Sequence, residues 1–158
     1  DLLGYGIRGA RWRKGGRRGK PPPRCKAMLL CDQVIVDAQT GKASIIGIFN
    51  AFTVPAFPGK TRAFTVYLQL TEGIGSYNVV VELHDLRENK IIGRSMLPGI
   101  AFPDRLDSPE IAVPVPPLPV QHDGRYDLVV MADGQEVERQ SFRIIAPDQP
   151  GRDPEVAE

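Results

Sequence analysis

A chain of 158 residues with 42% hydrophobic and 25% charged side chains can bury one core without disulfides or metals, and it contains no apolar run approaching the length of about 18 residues that crosses a membrane. Fifteen prolines and sixteen glycines favour turns over helices. The net charge of +1 hides a split: residues 1–27 carry nine Lys/Arg against Asp1 alone, whereas the remainder carries eleven basic and eighteen acidic side chains.

Residues 1–24 are rich in Gly, Arg and Lys, lack apolar periodicity and end in Pro21-Pro22-Pro23, which reads as a disordered, solvated arm. Two readings stand. Arg11, Arg13, Lys14, Arg17, Arg18 and Lys20 can tether nucleic acid by releasing phosphate counterions; alternatively the arm is a leader foreign to the folded unit, since Met28 stands directly before the first strand. Gly19-Lys20 does not make a phosphate loop, because Lys14 and Pro21 occupy the positions of the required Gly and Ser/Thr. The folded domain is expected over residues 25–146, followed by a frayed polar tail, 147–158.

The first strand, about Lys26 to Val36, is apolar on both faces, as a strand crossing a sandwich core would be. Asp37 to Lys42 turns the chain into a second strand, Ala43 to Asn50, whose Gly47 marks a bulge or a close backbone approach. Ala51 to Arg62 reads as a loop presenting Phe52 and Phe57. Ala63 to Thr71 and Tyr77 to Asp85 alternate apolar and polar residues and, with Ile91 to Met96, predict a three-strand meander. Leu97 to Pro109 is expected to be the longest loop, its Ile100 and Phe102 capping the core or forming an apolar contact. Ile111 to Val120, interrupted by Pro114, Pro116, Pro117 and Pro119, has to be an edge strand or a polyproline-like ribbon.

Asp123 to Ile145 predicts a β-hairpin around a type I′ Asp133-Gly134 turn. Pairing outward from the turn sets Val130 opposite Val137 and then loses phase. One extra residue between Glu138 and Ser141 would restore Phe142 opposite Tyr126 and Ile144 opposite Gly124, so a bulge is predicted there. Asp123-Gly124-Arg125-Tyr126 also partly matches a tyrosine corner, with His122 where the pattern wants Asp. Short strands and turn signals at this spacing, with no helical segment, predict an all-β, immunoglobulin-like antiparallel sandwich of about eight strands.

Leu30-Cys31-Asp32-Gln33-Val34-Ile35, Asp37, Thr40-Gly41-Lys42, Ser44 to Asn50 and Pro55-Ala56-Phe57-Pro58 resemble the opening of an uncharacterised bacterial domain family. The resemblance extends over about Cys25 to Ile145 and implies a small cytosolic-type β-sandwich with no known activity, cofactor or catalytic residue. Members of that family start close to the first strand, which favours the leader reading of the arm.

Catalytic chemistry is hard to place. Cys25 and Cys31 have neither metal-site spacing nor a histidine partner and read as free thiols. His84-Asp85 on a strand point to opposite faces, and both His84 and His122 read as surface histidines. Glu72, Glu82, Glu136 and Glu138 read as solvated surface acids. The expectation is therefore a cytoplasmic protein with no catalytic, cofactor or metal residues, acting as a protein-interaction or structural module through Phe52, Phe57, Ile100 and Phe102; the alternative is a nucleic-acid-associated protein acting through its arm.

Overall fold

The computed structural model describes residues 20–147. They form eleven strands: β1 (Arg24–Val36), β2 (Ala43–Phe49), β3 (Ala51–Thr53), β4 (Gly59–Lys60), β5 (Phe64–Thr71), β6 (Gly75–Asp85), β7 (Lys90–Phe102), β8 (Glu110–Val115), β9 (Pro119–Val120), β10 (Gly124–Ala132) and β11 (Gln135–Ile145). One sheet has the order β2-β1-β5-β8 and the other β3-β11-β10-β6-β7, while β4 and β9 make a separate two-stranded ladder. Every pair is antiparallel except β3 with β11.

Alternation dictates the packing. Met28 and Leu30 of β1, Phe64, Val66, Leu68 and Leu70 of β5 and Val113 and Val115 of β8 face Tyr77, Val79, Val81 and Leu83 of β6, Tyr126, Leu128, Val130 and Ala132 of β10 and Phe142 and Ile144 of β11 across one continuous core. Each such buried aliphatic or aromatic side chain contributes about 2 kcal/mol before conformational entropy is offset.

Several expectations need correction. The meander does not exist as one sheet: β5 belongs to the first sheet and β6 and β7 to the second, the chain crossing between them at Glu72 to Ile74. Leu97 to Phe102 is the end of β7 rather than a loop, and the stretch after Asn50 contains β3 and β4. The first strand is buried only as far as Cys31; Ile35 and Val36 are exposed because β1 and β2 run on past the opposing sheet.

The hairpin follows its predicted turn, with φ of 48° at Asp133 and 85° at Gly134. Phe142 lies opposite Tyr126 and Ile144 opposite Gly124. The extra residue is Val137, nearer the turn than expected, so Glu138 rather than Val137 faces Val130. The partial tyrosine corner is formed: Tyr126 Oη donates to the His122 carbonyl at 2.7 Å. Pro114 sits on edge strand β8, where a missing N–H does no harm.

Candidate interaction surface

The predicted apolar contacts are largely core. Phe52 is 2% exposed and packs edge-to-face on Phe49 and Phe64; Phe102 is 3% exposed and packs at 90° against Tyr77. Phe57 and Ile100 are half-buried against the same core. Phe52 and Phe102 thus face the core rather than solvent.

Of the basic arm, Arg11, Arg13, Lys14, Arg17 and Arg18 lie outside the described residues. Lys20 does not hang free: its Nζ lies 4.1 Å from the centre of the Tyr77 ring, pairs with Asp133 at 3.5 Å and donates to the Ser76 carbonyl. Next to it, Tyr77 Oη donates to the Pro21 carbonyl at 2.9 Å, so the chain is already docked before β1 begins.

His122 and Glu82 are not the solvated groups expected, whereas Glu136 is exposed as expected. His122 stacks on Tyr126 with its Nε2 at 2.8 Å from Asp85 Oδ2, both side chains being almost wholly enclosed. Burial, followed by the nearby Asp85 charge, pushes the Tyr126 phenol up to about 12. On the outer face of the second sheet, Glu82 takes Arg94 Nε at 2.8 Å and lies 2.8 Å from His84 Nε2. Beside it Asp127 accepts from Arg139 Nη1 at 2.9 Å and from Ser141 Oγ at 2.8 Å. Burial raises the pKa of each carboxyl, but for Glu82 the hydrogen bonds from His84 and Arg94, and for Asp127 those from Arg139 and Ser141, outweigh it and hold the pKa below its ordinary value. Arg139 closes the network on Glu136. These groups satisfy one another, and among the described residues no cluster of three His, Cys, Asp or Glu can hold a metal ion. Cys25 is held as a thiol, pushed up to about 11 by burial and then by Glu138.

The surface with unsatisfied features lies on one flank of the sandwich. The β7–β8 flank is sealed: Leu118 is buried against Gly93, and its N–H reaches Thr61 Oγ1 at 3.1 Å. On the opposite flank β2 covers β1 only from Leu30 to Val36, and β3 covers β11 only from Arg143 to Ile145. Among the described residues, the edges of β1 from Arg24 to Leu29, of β2 along its whole length and of β11 from Gln135 to Gln140 have no strand partner. Between the sheets here is a cavity of about 360 Å³, whose apolar lining includes Leu29, Leu30, Phe49 and Phe142 and whose polar rim includes Gln140 and Ser141.

A second hollow of about 560 Å³ shares Asn50, Ser141 and Phe142 with the first and adds Arg125 and Arg143. These two arginines lie directly opposite in the β10–β11 ladder. Arg125 Nε donates to Ser141 Oγ at 2.9 Å, whereas Arg143 has no acidic partner among the described residues. Ile48 of β2, 59% exposed, lines the first cavity, and Ile46 on the same strand is 45% exposed. Sequence reasoning did not single out Arg125 or Arg143, although the bulged register that pairs Phe142 with Tyr126 already sets them face to face.

Two packed, largely antiparallel sheets, with a tyrosine corner at the start of β10, define an immunoglobulin-like β-sandwich. The chain belongs to a family of unknown function, DUF6941, whose model matches residues 26–145. No curated protein matches the chain. Among solved structures it is similar to an immunoglobulin-like protein from Pseudomonas aeruginosa (10% identity, TM-score 0.41, covering 80% of this chain and 99% of that one). It is also similar to the Pseudomonas fluorescens alkylpurine DNA glycosylase AlkC bound to DNA containing an abasic site analog (9% identity, TM-score 0.41, 74% of this chain), of which it spans 30%. No described helix is long and apolar enough to cross a membrane.

Proposed function

We propose that the domain is a non-catalytic protein-interaction module that receives an extended segment of a partner protein on the flank between β1, β2 and β11. The observation that supports this is the apolar groove bounded by strand edges without partners. Such edges offer regularly spaced N–H and C=O groups to an incoming strand, while the floor takes alternate side chains. β11 is the poorer acceptor, because the Val137 bulge and Glu138, on the core-facing side of the strand, disrupt its edge. The edges of β1 and β2 carry the pairing.

A photo-crosslinking residue placed at Gln140 in cells should yield discrete adducts that the same residue at Met96, 71% exposed on the far strand β7, does not. Identical adducts from both positions, or none from Gln140, defeat the proposal.

A further inference from the structure

We infer that the segment received by this groove carries an aspartate or glutamate side chain that docks between Arg125 and Arg143, an inference that rests on the groove binding an extended partner. The two guanidinium groups lie on opposed positions of neighbouring strands and share one hollow with the Asn50 and Ser141 side chains. Like charges directly opposite on a ladder repel, so an unpaired carboxylate between them would replace repulsion with two charge-assisted contacts. Among the described residues, Asp127 is the one acid within ion-pair distance of Arg125, at 3.8 Å and already bound by Arg139 and Ser141, and Arg143 has no such acid.

Position sets the spacing. The apolar and charged hollows share Asn50, Ser141 and Phe142, so a segment anchored in the first places a neighbouring side chain within reach of the second. Lysine-rich or neutral strands are disfavoured at that position. The chemistry expected of the partner is an extended apolar segment with one acidic side chain close to its anchoring aliphatic residue.

The test uses the full chain and two fluorescein-labelled, end-blocked decapeptides of alternating Val and Thr, one with a Glu beside the central Val and the other with Gln there. The Glu peptide should bind about fivefold tighter at low salt, the advantage shrinking as salt is added. It should vanish in Arg143→Gln and in Arg125→Gln, both exposed substitutions whose unchanged melting temperatures confirm folding. Amide shifts at Asn50, Ser141 and Arg143 should mark the site. Equal binding of both peptides in the groove, or an advantage that survives both substitutions, overturns the acid inference and leaves the groove reading standing. If neither peptide shifts the groove amides, both fall.

Discussion

At the residue scale, charge is spent on closing the outer face of the second sheet. Glu82 and Asp127 are each 3% exposed although they stand on the solvent side of their strands, because Arg94 and Arg139 lie over them and satisfy their oxygens. This was only partly legible in the sequence. Alternation puts Glu82, Asp127 and Val129 on an outward face, yet their burial depends on long side chains from β7 and β11, which alternation does not pair with them. A pH dependence follows, with a definite sign. Both carboxyls have folded pKa values below their unfolded ones of about 4.5 and 3.8, so the stability they confer is complete above those values. It is lost as pH falls through them toward the depressed folded values. Urea midpoints followed from about pH 7 to about pH 3 should fall most steeply below about pH 4.5, and Asp127→Asn should be less stable at neutral pH with a shallower acid loss. An unchanged slope in that variant would show that Asp127 does not carry the linkage.

At the element scale, the β10–β11 hairpin shows how far pattern alone reaches. An I′ turn at Asp133-Gly134 and the need to keep Tyr126 and Phe142 on one face require one extra residue, and the ladder contains one. Its place at Val137 was not legible, because extra residues at several positions restore the same downstream register. The β5–β6 connection was misread for a related reason: alternation reports which face is buried and not which sheet buries it. Gly47 in β2 is the clearest residue-specific constraint on an element. Its φ is 72°, and a Cβ there would stand 2.3 Å from Asp32 Oδ2. Asp32 is in turn held by Arg62 Nη1 at 2.6 Å, with Arg62 stacked over Phe49. Of the two sequence alternatives, close approach is therefore the correct one, and the β1–β2 register runs through without a shift. Gly47→Ala should cost about 1–3 kcal/mol in urea unfolding. Adding Asp32→Ala should recover only the steric part, since the strained φ remains. A neutral Gly47→Ala would mean that the Asp32 side chain readily moves aside.

At the scale of the whole molecule, a sandwich has to decide which of its sheet edges stay available. β7 is broken by two register shifts and by Gly99 at a φ of 69°, β11 by the Val137 bulge, and β8 by Pro114 opposite Thr65. β2, with the sequence ASIIGIF, is the longest strand among the described residues whose unpaired edge has neither a proline nor a charged side chain, and it lies on the flank where the groove opens. The proline-rich stretch places Pro114 on the opposite edge of the same sheet, where a missing outward N–H hinders strand recruitment, as composition alone suggested. Because a proline within a ladder leaves no N–H, Pro114→Val supplies β8 with an outward donor flanked by apolar residues. Sedimentation velocity over a range of concentrations should then show greater self-association than in the parent chain, whereas Ile48→Lys, which places a charge beside the β2 edge, should show less. If Pro114→Val sediments as the parent does, the block at β8 comes from its short length and its neighbours. In that case the proline is there to shape the turn toward Leu118, whose burial seals that flank.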